Sequence, residues 1–393
     1  MTRGWRRDCG VREMKATSLT VAFEGMPDPR SRHGRRYPLD AIITIAFCAA
    51  LSGAEDWSAV AAYGRAKAEW FATFLDLPDG TPSHDTFDRV FSRLDPDAFE
   101  RCFRLWTSTL AGPGGLVGTL ALDGKTIRRS FDAAAGAAAI HMVSAWACEH
   151  NLVFGQIATD DKSNEITAIP RLLELLDIKG CVVTIDAIGC QRQLAGTIGE
   201  MGGEYVLTVK DNQPTLRQGM DTVFERGERA GWGDRGGVVH DTHEEIDKGH
   251  GRIERRVTTI TWDRRDLIEA MGWPGVRALV RVRRERTIGQ TTAITIHHYI
   301  TSMETRRADR VAAVVRNHWE VENRLHWSLD VSFDEDRSRL RKGHGAQNMS
   351  RLRRLALNAL RAEKTEKLGV KNKRLLAAWD HKYLLRLLAF KDQ

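Results

Sequence analysis

The spacing of apolar positions changes along the chain, and the first segment has helical spacing. Residues 37–110 carry apolar side chains about every three to four positions, with one interruption at SGAED, 52–56. Ser83 and Asp95 each stand directly before such a run, where short polar side chains favour a helix N-cap. The pattern predicts an all-helical domain over 37–112, ended by the linker AGPGG, 111–115.

The segment 116–225 alternates between strand-like and helical patterns. It begins with three short apolar strands, in GTLALDGKTIR, HMVSAWACEHN and VFGQIATDD. Helix, strand, helix, strand and helix follow, the last helix opening at Pro214. This order predicts an α/β fold with a mixed sheet, in which the first and fourth strands lie side by side.

Beyond residue 225 the period changes again. Residues 226–302 alternate apolar and polar positions, as in RIERRVTTITW and TTAITIHHYITS, which predicts an antiparallel β-insertion with one solvated face. Helical spacing returns at 303–329, within a segment, 303–345, that we expect to complete the α/β domain. The pattern of apolar positions in the remaining residues, 346–393, predicts a helical tail, and this tail is basic.

Composition adds that the chain is an ordinary globular protein, with 42% apolar residues. It has no apolar run of membrane-spanning length and no secretory signal, so we expect a soluble, cytoplasmic protein that does not associate with a membrane. Its six cysteines are scattered without a CxxC pair, which favours reduced, mostly buried thiols over a disulfide framework or a thiolate zinc site.

Charge is unevenly distributed behind the net value of +7. From Arg337 to the end there are 16 Lys or Arg and 4 Asp or Glu, whereas the rest of the chain is slightly acidic. The amino-terminal 36 residues are also Arg-rich and predict a flexible or extended lead-in. A basic carboxyl-terminal segment suits a nucleic-acid phosphate backbone, and a solvated helical face is an equally good interpretation.

Two aspartates are placed at the ends of apolar strands. Asp123 lies in TLALDGKTIRRS, and Asp186 directly follows GCVVTI. Parallel strands present reactive groups at their carboxyl ends, and two neighbouring carboxylates repel one another unless a cation lies between them. Either aspartate alone is more simply a turn former or an N-cap. Their joint placement in one α/β pattern favours a metal site.

Ligands that are all oxygen favour Mg²⁺ or Mn²⁺ over zinc, and such sites usually hold two ions about 3.5–4 Å apart. A third carboxylate is then expected. Glu322 in HWEVENRLHW shares a helix face with His318 and His326 at four-residue spacing. Two alternatives stay open: these three residues form a zinc site, or they are polar residues on a helix that packs at a sheet edge.

The strings that carry these residues resemble DDE transposases of bacterial insertion sequences, in the ISAs-type group that includes the H-repeat-associated proteins. The resemblance extends from about Asp28 to Arg339. It rests on several strings in the same order: GAEDW with GTPSHDTFDRVFSRLDP, LDGKTIRRS, KSNEI, TIDAIGCQ, YVLTVKDNQ, GHGRIERR and NHWEVENRLHWSLDVSFDEDRSR.

The resemblance implies an RNase H-like catalytic core whose triad, Asp123, Asp186 and Glu322, holds two divalent ions, Mg²⁺ or Mn²⁺. It implies cleavage of phosphodiester bonds at the ends of a mobile element and joining of the freed 3′ ends to target DNA. The partners would be double-stranded DNA, at terminal inverted repeats and target sites, and further copies of the chain. A small-molecule substrate is not expected, and the protein would be nucleoid-associated.

One part of the family pattern is missing. Related insertion-sequence families place arginine and lysine around the glutamate, whereas this chain has His318 and Leu329 at those positions. The DNA contacts of that pair must therefore come from elsewhere. Glu320, four residues after Arg316, is a competing choice for the third carboxylate.

Several polar residues are expected to contact DNA, although for those next to Asp123 a solvated surface is an equal alternative. The predicted set is Lys125, Arg128, Lys210, Asn212, Gln213, His318, Arg337 and Arg339. We also expect backbone contacts from the β-insertion, through Arg252, Arg255, Arg256, Arg281, Arg283, Arg284 and Arg286. The helical domain would read terminal repeats or be a plain bundle.

Two other functions remain compatible with the sequence. The chain is alternatively a catalytically silent or domesticated DNA-binding descendant of such an element, or an RNase H-like host nuclease. The presence of all three carboxylates argues against decay but does not by itself establish activity.

Overall fold

The computed structural model describes residues 19–132, 136, 138–159, 165–233, 238–249, 251–262 and 272–388. The first half of the lead-in, residues 1–18, and the first residues of KSNEI, Lys162 and Asn164 among them, lie outside these ranges. The described chain forms one nine-stranded mixed sheet with helices on both faces. This confirms the predicted α/β class.

Five strands form the half of the sheet that carries both aspartates. Their order is β3-β2-β1-β4-β5; β1 runs antiparallel to β2 and parallel to β4. The first and fourth strands are therefore neighbours, as an RNase H-like core requires. The strands are β1 (Thr119–Thr126), β2 (His141–Ala147), β3 (Leu152–Thr159), β4 (Val182–Ile185) and β5 (Glu204–Val209).

The other four strands lie within the predicted β-insertion, 226–302, pair antiparallel with one another and extend this same sheet. β9 pairs antiparallel with β5, with Val206 opposite Thr301, and β8, β7 and β6 follow outward. Alternation predicted the strands because it reports which side chains are buried, but it does not report which edge they pair with. The strands are β6 (His240–Gly249), β7 (Arg252–Thr261), β8 (Ala278–Ile288) and β9 (Thr291–Thr301).

One face of the core strands is covered by three helices that follow the crossover pattern of the sequence. Leu120 and Leu122 of β1 point into this layer, together with apolar side chains from each helix. Pro170 lies inside the first of them without ending it. The helices are α7 (Glu165–Glu174), α8 (Arg192–Glu200) and α9 (Pro214–Ala230).

The opposite face is covered by a helical layer built from both ends of the chain. Its amino-terminal helices are α1 (Leu19–Ala22), α2 (Leu39–Leu51), α3 (Trp57–Ala66), α4 (Ala68–Phe71), α5 (His84–Phe91) and α6 (Pro96–Ala111). Asp95 caps α6 by accepting from the N–H of Asp97 at 3.0 Å. The later helices are α10 (Ala308–Glu320), α11 (Trp327–Phe333), α12 (Gly345–Ala362), α13 (Val370–Trp379) and α14 (His381–Leu388).

The basic tail is part of this layer, and several of its cations are buried and paired there. Arg351 pairs with Glu100 of α6 at 2.9 Å, and Arg354 pairs with Glu335 at 2.8 Å, with all four side chains at most 4% exposed. Arg353, Lys373 and Arg374 are also buried, whereas Lys371 is exposed. The number of charges in the tail did not reveal that these residues are buried, because their carboxylate partners lie hundreds of residues away or in another element.

The remaining expectations from composition concern membranes and thiols. None of the helices in the described ranges is long and apolar enough to cross a membrane. All five described cysteines are free thiols, and each except Cys102 is buried. Cys9 lies outside the described residues.

Candidate active site

Asp123 and Asp186 lie side by side, directly after the last paired residues of two parallel strands. Leu122 of β1 and Ile185 of β4 are register partners, so each aspartate is the next residue along its strand. Paired positions of neighbouring strands face the same side of a sheet. The two carboxylates therefore share one face, at the carboxyl end of β4 and at the point within β1 where its pairing with β4 ends. Asp123 is 30% exposed and Asp186 49% exposed.

Glu322 approaches this edge from the helical layer, on a turn of unusual geometry. α10 continues into a π-helical turn, Val321–His326, which leads directly into α11. Val321 and Leu325 are buried and hold the turn against the core, whereas Glu322 is exposed. Single π-helical turns inside α-helices are frequent at functional sites because the wider turn redirects side chains.

The three carboxylates line one cleft of about 160 Å³. Glu320 does not line it and instead pairs with Arg324 at 3.1 Å. Within the described ranges, no three His, Cys, Asp or Glu side chains form a ready-made metal cluster, so the carboxylates face a common space without converging on one point. The cleft is lined by Asp123, Asp186, Thr208, Lys210, His297, Tyr299, His318, Trp319, Val321 and Glu322.

Asp186 is held ionised. Burial raises the pKa of its carboxyl, but the backbone N–H of Ala187 and the ammonium of Lys210 outweigh burial, so the pKa lies below its usual range. Lys210 Nζ is 3.0 Å from Asp186 Oδ1. The amides of Asn212 and Gln213 donate to the carbonyls of Ala187 and Cys190 at 2.6 and 2.9 Å. The loop after β5 thus fixes the loop that carries Asp186.

His318 and His326 are neutral and have different partners. Burial lowers the pKa of His318 to about 4, and its Nδ1 lies 3.0 Å from Thr184 Oγ1. Burial, with Arg354 and Lys125 nearby, lowers the pKa of His326 to about 3, and its Nδ1 is 3.5 Å from Asp123 Oδ2. His318 therefore supplies no positive charge in place of the family arginine, and the two imidazoles do not share a partner.

The cations near Asp123 differ in accessibility. Lys125 is only 8% exposed and lies between Asp330 and Asp336, at 2.8 and 2.9 Å. The ammonium joins β1 to α11 and the segment that follows it, and a phosphate contact from Lys125 stays a prediction. Three other predicted DNA contacts, Arg128, Arg337 and Arg339, are exposed on the surface, outside the cleft.

The arginines of β7 and β8 are paired with carboxylates, which also differs from the expected free basic face. Glu254, almost fully buried, is contacted by Arg284 at 2.8 Å and Arg252 at 3.2 Å. The other predicted arginines of these strands have acidic partners too, namely Arg255, Arg256, Arg281, Arg283 and Arg286. Some of these pairs join residues two apart on one strand, and strand alternation does not reveal the others, because their partners come from neighbouring strands and from α9.

A buried pair behind Asp123 was not assigned a role from the sequence. His141 Nε2 and Glu165 Oε1 are 2.6 Å apart, and His141 Nδ1 is 2.8 Å from Thr126 Oγ1. A Cβ on Gly124 would collide with both His141 Nε2 and Glu165 Oε1. The one available signal was Gly124 itself, since glycine inside a strand often marks a close approach.

Gly124→Ala is expected to destabilise the fold by about 1–3 kcal/mol, because the added methyl overpacks the His141–Glu165 pair and displaces β1 beside Asp123. Urea unfolding followed by circular dichroism measures the change. Gly199→Ala is the matched control: it lies in α8 with open space around it, and we expect it to gain up to about 1 kcal/mol from helix propensity. Equal stabilities of the two variants would contradict the close approach at Gly124.

Comparison with known proteins agrees with this arrangement. Residues 118–359 match the family model described as Transposase DDE domain, and residues 20–107 match the associated model, DDE_Tnp_1-associated. The chain is 37% identical over 381 residues to the H repeat-associated putative transposase YhhI of Escherichia coli strain K12, covering 96% of this chain and 99% of that protein.

Two further relatives extend the similarity beyond this protein. The putative transposase YncI of Escherichia coli O157:H7 is 36% identical, over 96% of this chain and 95% of its own length. The uncharacterized protein in the dhlA 3′ region of Xanthobacter autotrophicus is 43% identical, over 71% of this chain and 92% of its own length. The family model covers more than half of the residues, and the chain therefore belongs to the transposase DDE domain family.

Proposed function

We propose that the protein is an active transposase, which cuts phosphodiester bonds at the ends of its element and joins the 3′ ends to target DNA. Asp123, Asp186 and Glu322 are its catalytic carboxylates. One observation supports this proposal above the others. The three acids line one cleft, although they come from β1, from the end of β4 and from the π-helical turn.

The donor set of the cleft fits divalent cations. Its acidic ligands are carboxylate oxygens, which suit Mg²⁺ or Mn²⁺, and Asp186 is kept ionised by its neighbours. The ammonium of Lys210, 3.0 Å from Asp186 Oδ1, occupies a place where positive charge is stabilised. Asp123, Asp186 and Glu322 would hold two ions. When bound, the ions activate the attacking oxygen and stabilise the charge on the reacting phosphate.

The residues around the cleft position its carboxylates for a phosphodiester substrate. Lys125 joins β1 to α11 and the following loop through Asp330 and Asp336, which holds the helix of Glu322 beside Asp123. His318 and His326 are neutral, so they do not compete as cations for the carboxylates. Strand cutting and strand joining use the same site in turn. Neither step requires a covalent bond between DNA and the protein.

The partners follow from this reaction. The DNA ends are terminal inverted repeats, the joined strand is target DNA, and two ends acted on together require at least a dimer. Size-exclusion chromatography with light scattering, with and without an end duplex, tests the dimer directly.

Glu322→Gln is expected to lower cleavage by at least about 10²-fold, because a neutral amide is a weaker ligand than a carboxylate. The assay follows a labelled duplex that carries the DNA flanking the gene, incubated with Mg²⁺ or Mn²⁺. Glu320→Gln is the matched control: it removes the same charge two residues away, outside the cleft, and should retain most of the activity.

A reversed ranking of the two variants would transfer the role to Glu320. Specific binding without cutting by the unaltered protein would instead favour the silent DNA-binding descendant. Cutting of junctions or hybrids without any requirement for element ends would favour the host nuclease.

A further inference from the structure

A second pocket, of about 440 Å³, lies on the side of the π-helical turn away from the three carboxylates. Its wall is formed by that turn, by the turn between β2 and β3, and by the segment that joins α12 to α13. Its lining includes five cations, Arg324, Arg361, Lys364, Lys367 and Lys373. We call it the basic pocket.

Positive charge exceeds negative charge in the basic pocket. Its two carboxylates are already paired, Glu363 with Lys373 at 3.0 Å and Glu366 with Arg386 at 3.7 Å. Three of its five cations have no carboxylate within 4.0 Å among the described residues: Arg361, Lys364 and Lys367. This contrasts with Arg351, Arg354 and Arg374 of the tail and with the arginines of β7 and β8, which are neutralised by acids.

Of these three cations, Arg361 is the one with a buried nitrogen that lacks a hydrogen-bond partner in the described structure. Its guanidinium lies 4.6 Å from the ring centre of Trp146 and donates to Ser328 Oγ at 3.1 Å and to the carbonyl of Arg324. The Nη1 atom is buried and has no hydrogen-bond partner in the described structure. Burial and the charge of Arg324 lower the pKa of Arg361 to about 9. An anion in the pocket would relieve this unfavourable burial of charge.

One groove lies between the basic pocket and the catalytic cleft and shares lining residues with each. This groove, of about 490 Å³, shares Asn323 and Arg324 with the basic pocket. It shares Glu322 and Trp319 with the catalytic cleft. A DNA strand that left the carboxylates across the π-helical turn would reach the basic pocket beside the exposed indole of Trp327.

We propose that the basic pocket binds backbone phosphate of the DNA on which the catalytic cleft acts. This inference rests on the proposed function and adds the surface along which the DNA leaves the cleft. Unpaired cations with an exposed aromatic ring beside them suit a phosphate backbone and its bases better than a small apolar ligand. The pocket supplies the positive charge that His318 and Leu329 do not.

The test compares DNA affinity against salt concentration in a background that cannot cut. We would measure fluorescence anisotropy of a labelled duplex of arbitrary sequence with Asp186→Asn protein, alone and with Lys364→Ala and Lys367→Ala added. The slope of log affinity against log salt should become shallower by about 0.9 for each phosphate that is no longer neutralised, or about 1.8 for two. Both lysines are exposed, so the fold should be unaffected, which thermal unfolding checks.

The matched control removes two exposed cations from the other face of the sheet, Arg171→Ala with Lys179→Ala. Its slope should equal that of the parent. The inference is overturned if the Lys364 and Lys367 variant keeps the parental slope while the parent binds DNA. It is also overturned if that variant loses only the binding of inorganic phosphate, measured calorimetrically. A parent that binds no duplex at low salt would overturn the proposed function together with the inference.

Discussion

Asp186→Asn is expected to abolish cleavage while leaving DNA binding intact. The asparagine keeps the size of the side chain but removes the charge that the end of β4 presents beside Asp123. Loss of a metal-binding carboxylate costs several kcal/mol of transition-state stabilisation, which corresponds to a rate decrease of about 10³-fold or more. The measurement is position-specific cutting of the labelled flanking duplex with Mg²⁺ or Mn²⁺.

Binding should survive because Lys210 loses its partner in this variant and is then free to meet a phosphate. Asp211→Asn is the matched control. It removes one carboxylate from the neighbouring loop, where Asp211 is exposed and outside the cleft, and we expect nearly full activity. Cleavage by Asp186→Asn at the rate of the unaltered protein would remove Asp186 from the catalytic site.

Arg354→Met is expected to destabilise the protein by about 3–5 kcal/mol, because it leaves the fully buried carboxylate of Glu335 without its cation. Urea unfolding at neutral pH measures the loss. Arg337→Met is the matched control, since Arg337 is 77% exposed and its pair with Asp334 is 3.5 Å long. Exposed pairs of this kind contribute about 0–1 kcal/mol, so the control should unfold almost as the parent does.

The loss caused by Arg354→Met should depend on pH. Burial raises the pKa of Glu335, but Arg354, Arg353 and Lys125 outweigh it and hold the pKa below its usual range. A depressed carboxyl pKa stabilises the fold above the pKa of the unfolded chain, and that contribution disappears as the pH falls through the folded value. The difference between variant and parent should therefore be largest near neutral pH and shrink in acid.

A double replacement separates the lost pair from a general packing defect. Arg354→Met with Glu335→Gln leaves no buried charge at this position and should recover part of the stability. A double variant at least as unstable as Arg354→Met alone would attribute the loss to packing around α12.

The sequence predicted the features that depend on neighbouring residues. Apolar spacing identified the helices of 37–110, the strand that contains Asp123, the strand that Asp186 follows, and the alternating strands after residue 225. The order of these elements was sufficient to predict that β1 and β4 are neighbours, because parallel crossovers restrict the available topologies. The π-helical turn at Glu322 was not predicted, since its sequence has the spacing of an ordinary helix.

The tertiary structure decided which charges are available to a ligand. Arg354 and Lys364 belong to the same basic tail, yet Arg354 is buried against Glu335 whereas Lys364 has no carboxylate within 4.0 Å among the described residues. Lys125, two positions after Asp123, is likewise neutralised by Asp330 and Asp336. The sequence by itself determined the class of fold, the family and the acidic residues at the strand ends. The tertiary structure determined which charges pair, because Coulomb energy depends on the distances between residues that are far apart in the chain.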